Sequence, residues 1–224
     1  MVYIYYSYIS EVLHSKLLEK YLNKFSPVYQ NKVLRFLRWE DAQLSLLGRI
    51  LLIQGMNDIG KKFNDYQLHY TKYHKPFFIE SDLKFNISHS GNMAVCAISD
   101  EFEIGIDVEL MNEIVVKSFK THMTSYEWKK INDEEDEICA FYKYWTNKEA
   151  VVKAYGKGLS LPLKSFEIIN GKVSIKNSSF LVEEIVLHKD YKCSLALMSN
   201  KYQDINKLNF DKNKLHIKQM FFKP

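Results

Sequence analysis

Apolar and polar residues alternate most strictly in Glu101-Phe-Glu-Ile-Gly-Ile-Asp-Val-Glu-Leu110. A period of two is a strand's period, so Phe102, Ile104, Ile106, Val108 and Leu110 share one face, with Glu101, Glu103, Gly105, Asp107 and Glu109 on the other. Residues 2–9, rich in Tyr and Ile, predict a first strand, and Glu11–Lys24 a helix. Ser26-Pro27 then carries a helix-start signal, an N-cap residue followed by proline at the first helical position. From Trp39 to Ile53 the apolar face is so broad that a largely buried helix is predicted, with Gly48 allowing close packing. Residues 60–82 are irregular, with an extended turn at Lys75-Pro76. Phe85 to Ser99 predicts a hairpin turning at Ser90-Gly91-Asn92. Residues 112–140 read as a polar loop that becomes acidic at Asn132-Asp-Glu-Glu-Asp-Glu137. Tyr142–Tyr155 predicts a helix stopped by Gly156, and further strands are expected near 165–169, 172–176, 180–187 and 191–199.

Met93-Ala-Val-Cys-Ala-Ile-Ser99 and Cys193-Ser-Leu-Ala-Leu-Met-Ser199 echo each other late in each half of the chain. They suggest an α+β protein of two similar α/β lobes packed as a pseudo-dimer. The expected division is 1–102 for the first lobe and 103–224 for the second.

A chain of 224 residues that is 46% hydrophobic can bury a real core, which excludes a disordered protein. The net charge of +4 suits a phosphate ligand or an acidic partner but is too small to argue for nucleic-acid binding. Cys96, Cys139 and Cys193 form no C-x-x-C pair, so neither a disulfide framework nor a zinc knuckle is expected, and a reducing compartment follows. The N-terminus lacks the basic and apolar regions of a signal peptide, and no apolar run is long enough for a membrane span. A soluble, cytoplasmic protein without membrane contacts is expected.

Asp107 and Glu109 project from the same strand face about 7 Å apart at the backbone, close enough to converge on one hard cation. The alternative is a solvated acidic face, against which Gly105 leaves bare backbone as if something approaches it closely. Trp145, Glu149 and Lys153, four residues apart, present an aromatic, an acid and a base on one helix face. An exposed Glu149–Lys153 pair worth about 0.2–0.5 kcal/mol is the plainer reading. Together, Asp107, Glu109 and Glu149 make three hard oxygen ligands for Mg²⁺, and Lys153 adds charge where a phosphate leaving group turns negative. Lys32, Arg35 and Arg38 fall three apart as a basic stripe, either a solvated face or a rail for a phosphate. Lys32, Arg35 and Lys75 would hold further phosphates. Ser88 and His89 stand at the mouth of the hairpin turn, where histidine is either a turn residue or a phosphate donor.

Phe85-Asn-Ile-Ser-His-Ser-Gly91, Ile104-Gly-Ile-Asp-Val-Glu109 and Trp145-Thr-Asn-Lys-Glu-Ala-Val-Val-Lys153 resemble, in order and spacing, the signature motifs of 4′-phosphopantetheinyl transferases. Gly156-Lys-Gly-Leu-Ser-Leu-Pro-Leu163 resembles their continuation, and Ser26 through Gly48 resembles the N-terminal helices of the surfactin-synthetase-activating type. The resemblance implies an active site in the cleft between two lobes. It also implies transfer of the phosphopantetheine arm of coenzyme A to a serine of an apo acyl or peptidyl carrier protein, releasing adenosine 3′,5′-bisphosphate. Asp107, Glu109 and Glu149 would bind Mg²⁺, with Mn²⁺ as the alternative. Lys153 would assist the departing phosphate, and Asp107 and Glu149 would join it as catalytic residues. Lys32, Lys75, Ser88, His89 and Lys153 would contact coenzyme A. Tyr29 stands where relatives often carry a basic residue, and His74 where they often carry glycine. Val115, Phe119, Met123 and Tyr126 offer either an apolar strip for the carrier or ordinary core. Two internal halves make a monomer natural. A metal-dependent nuclease and a non-catalytic coenzyme A binder are the competing classes.

Overall fold

The computed structural model describes residues 1–199 and 211–223, without the side chains of Leu159 and Lys212. In chain order its elements are β1 (Val2–Tyr8), α1 (Glu11–Tyr21), α2 (Pro27–Leu34), α3 (Trp39–Asp58), β2 (Leu68–Tyr70), β3 (Pro76–Phe78), β4 (Lys84–Ser90), β5 (Met93–Ser99) and β6 (Glu103–Leu110). There follow α4 (Ser125–Asn132), α5 (Glu137–Tyr155), β7 (Lys172–Ile175), β8 (Ser178–Glu184), β9 (Tyr191–Ser199) and β10 (Leu215–Gln219).

Two four-stranded sheets organise them, in the orders β10-β1-β5-β4 and β6-β9-β8-β7. In the first, β1 runs antiparallel to β5 and β5 to β4; in the second, β6 runs antiparallel to β9 and β9 to β8. The three-strand units therefore share one topology, and the echoing segments β5 and β9 hold the same central place in each. A long helix covers each sheet, α3 on the first and α5 on the second. Between the sheets lies one apolar layer in which Ile4, Met93 and Val95 meet Ile106, Val108 and Leu195. This is the two-lobed α+β arrangement expected.

Four expectations need correction. Residues 165–169 form no strand: Leu163–Ser165 is a 3-10 turn and Ile169 makes only an isolated bridge to Lys172. The segment's backbone is taken by buried side chains instead, since Ile168 N donates to Glu127 Oε1 and Lys148 Nζ donates to the carbonyls of Leu163 and Phe166. Residues 112–140 contain a helix, α4, started by a capping box in which Thr124 and Glu127 bond each other's backbone. The basic stripe does not form, because α2 ends at Leu34 and Arg38 turns to Glu40 as the residue preceding α3. Finally, residues 103–224 are not wholly in the second lobe: β10 returns to pair in parallel with β1.

Glycines admit the close packing. At Gly48 a Cβ would meet Ile87 Cγ2 at 2.6 Å, so the helix lies directly on β4. At Gly105 it would meet Ala150 O at 2.1 Å and Ala154 N at 2.4 Å. What approaches the bare face of β6 is thus the backbone of α5. Although β6 is an edge strand, both its faces are covered: Ile104 through Val108 are all buried.

Candidate active site

The site begins at a seam between two sheet edges. Outward N–H groups of β6 recur every second residue, and so do the side chains on one face of β4. Asn86 Oδ1 accepts from Ile106 N at 2.9 Å, Ser88 Oγ from Val108 N at 3.4 Å, and Ser90 Oγ from Leu110 N at 3.1 Å. Side chains thereby satisfy an edge that would otherwise seek another strand. The same hydroxyls donate onward, Ser88 to Asp107 Oδ1 at 3.1 Å and Ser90 to Glu109 Oε2 at 2.6 Å. A hydroxyl has one proton and two lone pairs, so each serine couples lobe docking to the aim of an acid.

From the other side, α5 brings Glu149 and Lys153. Lys153 Nζ lies 2.6 Å from Asp107 Oδ1 and 2.8 Å from Ser88 Oγ. The helix is pinned to β9 beneath by Thr146, whose hydroxyl meets Ser194 Oγ at 2.8 Å, and by Asn147 Oδ1, which accepts from Ser194 at 2.8 Å. At the next residue, the fully buried Lys148–Glu127 pair at 2.8 Å ties α5 to α4. Gly156, with φ of 72°, ends α5 in the left-handed conformation expected of it.

Electrostatically the three acids are under-compensated. Burial pushes Asp107 above the usual carboxylate range, opposed by Lys153 and Ser88. Burial also raises Glu109, with Ser90 opposing and the charge of Asp107 adding to it. Glu149 is raised first by burial and then by Asp107, with Lys153 opposing and Glu109 adding further. Asp107 Oδ2 is buried without any hydrogen-bond partner. An orphaned carboxylate oxygen between repelling acids is what a hard cation would neutralise. Among the described residues no three acids, histidines or cysteines already form a metal cage. Lys153 holds one oxygen of Asp107, and Ser90 one of Glu109.

A cleft of about 320 Å³ borders Glu149 and Lys153 and reaches Tyr73, Lys75, Asn86 and Gly156. The structure thus brings Asp107, Glu109, Glu149, Lys153 and Ser88 into one neighbourhood. His89 projects at the exposed end of β4 into an adjoining hollow beside Arg38 and Asp41. Desolvation, then Lys153 and Lys32, hold it below the usual histidine range, with Asp41 opposing. Lys32 borders a third, smaller hollow with Tyr29, Arg49 and Asp65, outside the cleft that holds Glu149. Lys75 lines the cleft, but its ammonium is bonded to protein acceptors. Trp145 is half-buried and packs on Phe119 and Phe141. The apolar strip is split likewise, with Met123 buried and Val115 and Tyr126 exposed. Asn86 and Ser90 were missed in the sequence, although the period-two polar residues Asn86, Ser88 and Ser90 were a visible signal.

The 4′-phosphopantetheinyl transferase superfamily matches residues 103–202, and the 4′-phosphopantetheinyl transferase N-terminal family matches residues 13–101. The chain is 35% identical to the 4′-phosphopantetheinyl transferase Sfp of Bacillus subtilis (strain 168), over 77% of this chain and 80% of that one. It is 33% identical to the 4′-phosphopantetheinyl transferase gsp of Aneurinibacillus migulanus, over 74% of this chain and 73% of that one. A mouse L-aminoadipate-semialdehyde dehydrogenase-phosphopantetheinyl transferase is 28% identical over 65% of this chain and 53% of its own. The family matches and these relatives place the chain in a transferase class. The chain belongs to the 4′-phosphopantetheinyl transferase superfamily, in its surfactin-synthetase-activating type. No helix among the described residues is long and apolar enough to cross a membrane.

Proposed function

We propose that this enzyme moves the phosphopantetheine arm of coenzyme A to a serine of an apo acyl or peptidyl carrier protein, releasing adenosine 3′,5′-bisphosphate with Mg²⁺ dependence. The observation that carries the metal is Asp107 Oδ2, buried and unpartnered beside two further acids. Asp107, Glu109 and Glu149 would hold Mg²⁺ or Mn²⁺, which when bound supplies Lewis-acid neutralisation of the pyrophosphate oxygens.

The remaining work falls to the chain's own groups. Ser88 and Ser90 keep Asp107 and Glu109 aimed from one strand. The carrier serine oxygen bonds to the phosphorus that bears pantetheine, and that phosphorus parts from its bridging oxygen, which leaves on adenosine 3′,5′-bisphosphate. Lys153 Nζ receives the negative charge appearing on that bridging oxygen. Where the cation is left to Asp107 and Glu109, a carboxylate oxygen of Glu149 takes the serine proton. Lys32 and His89 meet the nucleotide phosphates, Ser88 borders them, and the Lys75 loop walls the cleft. The protein acts as a cytoplasmic monomer.

Incubation with coenzyme A, Mg²⁺ and an apo carrier should add one phosphopantetheine arm per carrier by intact mass, and a chelator or Asp107→Ala should stop it. Unchanged carrier masses across several carriers, or full turnover in chelator, would overturn the proposal.

A further inference from the structure

Lys75 reaches from the first lobe into the second. Its loop is knotted by Thr71, whose N–H donates to Lys75 O at 2.9 Å and whose hydroxyl accepts from Lys75 N at 3.2 Å. His74 at φ 63° turns the chain so that the lysine stem lies over Gly156, where an added Cβ would meet its Cδ at 3.0 Å. The ammonium then finds Ala154 O at 3.0 Å, Glu103 Oε2 at 3.1 Å and Ile104 O at 3.3 Å. Three donors meet three acceptors, and the side chain is only 13% exposed. Ala154 is the residue after Lys153, and its carbonyl belongs to the last turn of α5, where a cation is favoured by the helix dipole. Glu103 and Ile104 begin the strand that carries Asp107. Lys84 flanks Glu103 from its other oxygen at 3.3 Å, so Lys75 is one of two cations on that acid. Burial lowers its proton affinity and Glu103 opposes that.

We propose that Lys75 is a positioning residue whose ammonium, reaching across the lobe boundary, clips the end of α5 to the start of β6, instead of binding a phosphate of coenzyme A. This rests on the transferase reading for its kinetic test and not for its structural one. The clip fixes where Lys153 stands over Asp107, so its loss acts on turnover.

Lys75→Met keeps the stem and removes the charge, and Glu103→Gln weakens the clip from the opposite side. With coenzyme A and with its 3′-dephospho form, both variants should lose on the order of tenfold in kcat with KM changed less than about threefold. Lys75→Arg should recover part of that loss. A phosphate ligand behaves otherwise: Lys75→Met would raise KM mainly for one of the two substrates, and Glu103→Gln, by freeing the cation, would lower it. Either result overturns the clip. Independently of any activity, amide exchange in the last turn of α5 should quicken in both variants while β5 stays protected. Unaltered exchange there overturns the proposal even if the wild-type protein transfers nothing.

Discussion

Replacing Gly105 by alanine tests how the fold makes the site. The added carbon would stand 2.1 Å from the carbonyl oxygen of Ala150 and 2.4 Å from the amide of Ala154, both helix backbone atoms that cannot rotate aside. Reaching an ordinary contact of 3.4 Å requires α5 to retreat from β6 by about 1.3 Å. That shift would stretch the 2.6 Å Lys153–Asp107 contact to about 3.9 Å, beyond hydrogen-bonding reach. Overpacking of this kind costs about 1–3 kcal/mol, or roughly 2–12 °C in Tm for a chain of this size. A misplacement near 1 Å costs on the order of a hundredfold in rate, so carrier loading should fall by about that factor. Gly60→Ala is the control: its φ of 73° strains an alanine, but nothing lies within 4 Å of the new carbon. It should lose about 1–2 kcal/mol and keep its turnover. Thermal melts followed by carrier mass assays on folded protein separate the two effects. If Gly105→Ala melts within a degree of the parent and loads carrier within threefold of it, the account of helix placement is wrong.

Lys148→Met would leave Glu127 charged at zero exposure, and urea titration should show a loss of about 3–5 kcal/mol. A loss below 1 kcal/mol would mean the pair does not anchor α4 to α5. Asn86→Leu strands the N–H of Ile106 at the lobe seam and should cost about 1–3 kcal/mol, seen as a lower urea midpoint with an unchanged slope. Of the three thiols, only Cys139 should react with a thiol reagent at pH 8 in the native state. Burial raises Cys96 and Cys193 far above the usual thiol range, so rapid labelling of all three would contradict the packed layers they occupy.

Local patterning was enough to mark the pieces. Strict alternation exposed β6 and its two acids, a glycine stop closed α5 behind Lys153, and the matching segments β5 and β9 revealed two halves of one topology. Even the missed α4 was written locally, in Thr124 and Glu127. The joining of pieces was not. Asp107 meets Lys153 across 46 residues and Ser88 meets Lys153 across 65, and neither partner's neighbourhood announces the other. Likewise Lys75 reads as a free cation until α5 presents Ala154 to it, and Trp145 as a displayed aromatic until Phe119 packs its edge against it. Periodicity records which side of an element is buried, because burial follows the repeat of the backbone. It holds no record of what lies against that side, because that depends on two distant surfaces meeting, and here the meeting of two sheet edges made the site.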